Sequence, residues 1–191
     1  MKCLMCESLS LTHICKTCQE LFLSPSLYKR KVYKNIEVIS FYKYSDIKKL
    51  LHTKHTDLGY YIYSILAKNS FKKFANDFTF TNEIKSIAID DNPKSGYSHT
   101  AILNRALKST FIKPLYNKLR SQNSLSYSGK SKEFRLLNPR NFQFQNISED
   151  ELILVDDIIT TGSTLTQAIE TLEQHKKEVL FCLTLADASL K

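Results

Sequence analysis

Nothing in this chain of 191 residues approaches the roughly 20 consecutive apolar residues that a membrane span needs. The first ten residues, MKCLMCESLS, hold no apolar stretch of the secretory kind. A cytoplasmic protein is therefore the expectation. Internal repeats and low-complexity tracts are missing as well, which excludes solenoids and compositionally disordered chains. The most local absence is of acid. Between Asp91 and Glu133 there is no carboxylate, although Lys94, Arg105, Lys108, Lys113, Lys118, Arg120, Lys130 and Lys132 lie in that interval. The formal net charge is +8. Such a field attracts phosphate without regard to sequence, and a solvated lysine-rich surface has the same composition.

What the chain does contain is a folded-domain composition, 42% apolar and 24% charged. In a cytosolic chain its five cysteines read as metal ligands or buried thiols rather than disulfides. Cys3, Cys6, Cys15 and Cys18 form two C-x2-C pairs separated by eight residues. Each pair spans a tight turn, so four sulfurs can close a tetrahedron around one structural zinc ion. His13 lies between the pairs and could replace one thiol. Cys182, in the apolar run EVLFCLTLA, reads as a buried core thiol.

Residues 1–35 read as a zinc-binding module and its linker, and residues 36–191 as the main domain. IEVISFYKY has strand character, and the long segment from Ser45 to Asn76 reads as helix, with Ser45 as its cap and Gly59 starting a second helix after a break. IKSIAID reads as a buried strand ending at Asp90. Ser98 caps a helix over SHTAILNRALKS. FIKPLYN reads as a strand, and its Pro114 argues for an edge. Residues 152–155 form a strand, STLTQAIETLEQHKK a helix and VLFCLTLA a strand. The alternation implies a parallel sheet covered by helices.

LILVDDIITTGSTL joins the last of these strands to its helix. In a parallel sheet, ligands sit beyond the carboxyl ends of the strands, where Asp156 and Asp157 fall. Thr160, Thr161, Gly162, Ser163 and Thr164 then turn into the helix. A helix start offers unpaired N–H groups and partial positive charge to an anion, and small residues allow close approach. The aspartates do the opposite, accepting from sugar hydroxyls directly or through magnesium. A ribose 5-phosphate compound satisfies both halves.

This stretch resembles the signature of type I phosphoribosyltransferases, the Asp-Asp-x-x-Thr-Thr-Gly-Ser-Thr loop that binds phosphoribosyl pyrophosphate. The four cysteines ahead of it extend the resemblance, over essentially the whole chain, to the ComF competence proteins of natural transformation. GYSHTAIL is similar to that family's Gly-Phe-Asn-Gln element, and EFRLLNPRNF to its Arg-x-x-Asn element, giving Arg135 and Asn138. Ser95, Ser98 and His99 depart from the family's residues, as does Ile-Asp-Asp at residues 89–91, which touches the pyrophosphate and acceptor region.

The resemblance implies an α/β fold of the type I phosphoribosyltransferase kind, a parallel sheet flanked by helices, with a small N-terminal zinc-binding module. It implies that Asp156 and Asp157 hold the ribose and orient magnesium, and that residues 160–164 hold the 5-phosphate. Lys94 would neutralise the leaving pyrophosphate. The function implied is DNA uptake, with phosphoribosyl pyrophosphate and single-stranded DNA as ligands and a helicase of the uptake machinery as a partner. Tyr97, Tyr116 and Tyr127 would stack bases along the basic interval. The alternative is an active phosphoribosyltransferase. No segment suited to a purine or pyrimidine stands out, which leaves the acceptor open.

Overall fold

The computed structural model describes residues 1–90, 96–122 and 140–190. Lys94, Ser95, Tyr127, Lys130, Lys132, Arg135 and Asn138 lie outside the described residues. The fold is α/β. A seven-stranded sheet has the order β1-β2-β7-β6-β3-β4-β5. Its strands are β1 (Tyr28–Lys31), β2 (Glu37–Lys43), β3 (Ile84–Asp90), β4 (Ile112–Ser121), β5 (Phe142–Phe144), β6 (Glu151–Ile159) and β7 (Glu178–Asp187). Strands β2, β7, β6, β3 and β4 run parallel. β1 and β5 are antiparallel edges. Central strands covered on both sides are buried along most of their length, and β3, β6 and β7 are, with their aspartates gathered at the carboxyl ends.

The described residues hold six α-helices: α1 (Lys16–Phe22), α2 (Tyr44–Leu51), α3 (Asp57–Asn69), α4 (Phe71–Asp77), α5 (His99–Ala106) and α6 (Ser163–Gln174). Alternate side chains of β6 feed two cores. Ile153 and Val155 pack with Ile47, Leu51, Ile62, Leu66, Phe71 and Leu103 from α2–α5. Leu152 and Leu154 pack with Leu165, Ala168, Ile169 and Leu172 of α6. Cys182 is fully buried in this second core.

Several local expectations meet a different outcome. Residues 28–31, inside the stretch read as a join, form edge strand β1 against β2. Ser45 does not cap α2: Lys43 stands at the cap without a side-chain bond, and the Ser45 hydroxyl donates to Asp46. The helical break is a 3-10 turn at His52–His55, and Gly59 lies inside α3. A Cβ on Gly59 would collide with the Tyr97 hydroxyl and the Thr53 carbonyl, so glycine here serves close packing rather than a break. Pro114 sits in a strand between two neighbours, but β5 pairs only Leu119, Arg120 and Ser121. The proline thus occupies the half of β4 that β5 leaves uncovered. Ser98 does cap α5, accepting from the Ala101 N–H.

β6 also runs further than residues 152–155. Its ladder with β7 continues to Ile159–Asp187, whereas its pairing with β3 ends at Ala88–Val155. Beyond Val155, β6 no longer pairs with β3 among the described residues. Among the described residues no helix is long and apolar enough to cross a membrane.

Candidate functional site

Chain topology selects the place. From β3 the chain passes through α5 to β4 on one side; from β6 it passes through α6 to β7 on the other. Right-handed crossovers in opposite directions put α5 and α6 on opposite faces of the sheet. Neighbouring β3 and β6 therefore part at their carboxyl ends and leave a crevice where ligands of open α/β sheets bind. Asp90, Asp156 and Asp157 stand at this crevice, each less than 10% exposed.

The loop after β6 turns into α6 through a glycine in the left-handed region. Gly162 caps α6 with φ +85° and ψ −2°. The Thr161 hydroxyl donates to Ser163 Oγ at 3.1 Å and accepts from the Ser163 N–H at 3.4 Å. The Gly162 carbonyl accepts from the Thr166 N–H, which closes the first helical turn. A Cβ on Gly162 would lie 2.9 Å from Val32 Cγ1, so both φ and space require glycine. Asp156 lines a small hollow with Ile158, Ile159, Thr160, Gly162, Thr164 and Leu165.

The two adjacent carboxylates have unlike surroundings. Asp156 Oδ1 accepts from the Asp157 N–H at 2.8 Å, beside the loop. Asp157 is held within the helical layer formed by α3 and α5. Its Oδ2 lies 3.0 Å from Lys54 Nζ, 3.2 Å from His99 Nε2 and 3.5 Å from the Tyr63 hydroxyl. Burial opposes its charge, but Lys54 and His99 hold the carboxyl well below the usual carboxylate range. Burial, reinforced by Asp157, pushes the Tyr63 phenol up. Asp90 shifts the other way. Burial raises it, although Ser98 Oγ donates at 2.8 Å and Thr100 Oγ1 at 3.2 Å. The sequence reading missed Lys54 and Tyr63 and noted His99 only as a departure from a motif. No spacing rule connects them to Asp157.

At the N-terminus, Cys3, Cys6, Cys15 and Cys18 bring their sulfurs within 4.8 Å of one another. Around a zinc ion at about 2.3 Å, tetrahedral sulfurs lie about 3.8 Å apart, so a small contraction completes the site. Backbone N–H groups already point at the sulfurs: Cys15 N–H and Met5 N–H to Cys3 Sγ, and Cys18 N–H to Cys15 Sγ. Burial disfavours the Cys3 thiolate, but N–H donors from Cys15, Cys6 and Met5 outweigh it and bring this thiol down to about 6. The donor set fits a thiophilic metal. His13 instead packs on the Tyr61 ring at 4.9 Å.

The basic interval is free of acid only along the chain. Glu83, from outside it, lies 3.7 Å from Lys113 Nζ. Arg105, Lys108 and Arg120 are exposed, as is Tyr116. Tyr97 is tied inward, its hydroxyl donating to the Lys54 carbonyl at 2.8 Å.

A parallel-dominated sheet with an Asp-Asp strand end and a Thr-Thr-Gly-Ser-Thr helix start defines a phosphoribosyltransferase-type domain. The PRTase-CE family model matches residues 24–189, and the chain belongs to that family. Among solved structures, it is similar to adenine phosphoribosyltransferase from Saccharomyces cerevisiae, with 16% identity, 90% of this chain and 88% of that chain covered, and a TM-score of 0.43. Orotate phosphoribosyltransferase from Mycobacterium tuberculosis H37Rv matches at 13% identity, 90% and 82% coverage, and a TM-score of 0.40. A hypoxanthine phosphoribosyltransferase from Staphylococcus aureus matches at 16% identity and a TM-score of 0.40; the match takes in 65% of this chain and only 62% of that one. No curated protein matches the chain.

Proposed function

We propose that this protein binds phosphoribosyl pyrophosphate with magnesium at the crevice between β3 and β6. The observation that carries this reading is the helix start at Gly162, in left-handed conformation, directly beyond the Asp156–Asp157 pair. In this assignment Thr160, Thr161, Gly162, Ser163 and Thr164 hold the 5-phosphate through N–H groups and hydroxyls. Asp156 accepts from the ribose hydroxyls and would hold magnesium, and Asp157 supports that edge from within its ion cluster. Magnesium supplies charge neutralisation at the pyrophosphate. Lys94 is assigned to the same pyrophosphate. If the protein turns over, a nucleophile forms a bond to the anomeric carbon and loses its proton, while the carbon–oxygen bond breaks and pyrophosphate leaves with the electron pair. The four cysteines take a structural zinc that folds the first 18 residues.

Calorimetry with phosphoribosyl pyrophosphate and magnesium tests the assignment. Binding in the wild-type protein and at least tenfold weaker binding in Asp156→Ala are expected. No binding, or equal binding in the two proteins, would remove the ribose site. Pyrophosphate release with candidate acceptors then separates an enzyme from a binder. Purification without added metal should yield one zinc per chain, and none if the cysteines serve another role.

A second reading follows from the ComF resemblance: a DNA-uptake role with single-stranded DNA as a ligand. It is supported by the exposure of Arg105, Lys108 and Arg120 and by that of Tyr116, which is 46% exposed. Affinity for single-stranded DNA would then fall with salt at a log–log slope of about −0.7 per phosphate contact. Replacing these three cations by Gln should flatten the slope, and an unchanged slope would discard them as phosphate contacts.

A further inference from the structure

A residue far from the motif in sequence touches it in the fold. Arg30 lies on edge strand β1, yet its guanidinium reaches the loop after β6. Nη2 donates to the Thr160 carbonyl at 2.6 Å. Nη1 donates to Ser189 Oγ at 2.9 Å and to Asp187 Oδ1 at 3.4 Å, and Nε lies 3.4 Å from Asp187 Oδ2. Asp187 is 2% exposed, and its Oδ1 also accepts from the Ser189 N–H and hydroxyl, each at 2.7 Å. One planar fork thus ties the end of β7 to the first peptide of the loop. Val32, two residues on, presses against the position a Gly162 side chain would take.

We infer that Arg30 is a positioning residue of the phosphate loop, a clamp that holds the Thr160 carbonyl and so fixes where the loop's N–H groups point. This rests on the assignment of residues 160–164 to the 5-phosphate. The Thr160 carbonyl and the Thr161 N–H belong to one rigid peptide plane and point in opposite directions. Holding the carbonyl against Arg30 therefore sets the direction of the Thr161 N–H. A free peptide could flip, withdraw that donor and present a carbonyl to the anion. Asp187 neutralises the guanidinium, so Arg30 acts through geometry rather than through added positive field. The role needs several donors in a fixed fork, which lysine lacks.

The test compares two probes in three proteins. Phosphoribosyl pyrophosphate with magnesium carries the 5-phosphate; inorganic pyrophosphate with magnesium does not. In Arg30→Gln and Arg30→Lys, affinity for the first should fall about tenfold, the scale of one charged hydrogen bond, and affinity for the second less than twofold. If Arg30→Gln fails to fold, Arg30→Lys, which keeps charge and length, decides alone. Full retention of phosphoribosyl pyrophosphate affinity in Arg30→Lys would overturn the clamp. An equal fall for both probes would also overturn it, by reducing Arg30 to a general structural contact. If the wild-type protein binds pyrophosphate but discriminates against the 5-phosphate, or binds neither probe, the phosphate-loop assignment fails first and the clamp with it.

Discussion

Asp156 and Asp157 are neighbours in one strand, yet they belong to different regions of the molecule. Asp156 stands beside the loop at the start of α6. Asp157 enters the layer of α3 and α5 and meets Lys54, His99 and Tyr63. Alternation along a strand separates side chains that sequence places together. The difference teaches that a paired-acid motif is not one functional unit. One carboxylate faces the loop that opens α6, while the other meets side chains of the helices on one face of the sheet.

The largest test of this contrast is stability. Asp157→Ala removes the carboxylate that faces Lys54 Nζ at 3.0 Å and His99 Nε2 at 3.2 Å, in a site where the Lys54 side chain is 23% exposed. A loss of about 3 kcal/mol in urea unfolding is expected. Asp156→Ala should lose about 1 kcal/mol while losing its ligand affinity. Equal losses in the two variants would dissolve the contrast. Adding Lys54→Met to Asp157→Ala should recover part of the lost stability, because the charge that Asp157 offset is then gone as well. A strictly additive double variant would show that Lys54 and Asp157 do not act as a pair.

Gly162→Ala acts on the loop side. At φ +85° any side chain is strained, and here it also meets Val32. About 1–2 kcal/mol of destabilisation is expected, together with weakened phosphoribosyl pyrophosphate binding. Retained affinity would mean that the loop tolerates a rearranged peptide.

Acid titration gives the smallest and most selective test. The folded carboxyl of Asp157 titrates below its unfolded value, so its stabilisation is fully present above about pH 4. It is lost as the pH falls through the depressed folded value. Asp90 is raised by burial, so its contribution has the opposite sign. That stability is present below the unfolded value and is lost as the pH rises through the folded one. The stability advantage of wild type over Asp157→Asn should therefore shrink toward acid, and the balance between wild type and Asp90→Asn should move toward wild type. Parallel shifts in the two variants would contradict the two environments.

Much of the local structure was legible in the chain. IKSIAID coincides with β3, Ser98 caps α5, and the Thr-Thr-Gly-Ser-Thr run opens a helix. The C-x2-C spacing foretold four converging sulfurs. These features depend on near neighbours: hydrophobic period, a cap three residues from its donor, the reach of a short turn. Residues 28–31 read as a join, not as β1, because four mixed residues carry no strand signal until β2 offers an edge.

Sequence by itself therefore determined many of the elements, the cysteine cluster and the glycine turn that opens α6. Tertiary structure alone decided that Lys54, 103 residues from Asp157, supplies its counter-charge, and that Arg30, 130 residues from Thr160, clamps the loop. It also decided that Glu83 enters an interval the chain had kept free of acid. The physical reason is the strand order. Which side chains meet across the crevice depends on β1 adding to one edge, on β7 inserting between β2 and β6, and on crossovers leaving β3 and β6 in opposite directions. No local backbone preference encodes those distances.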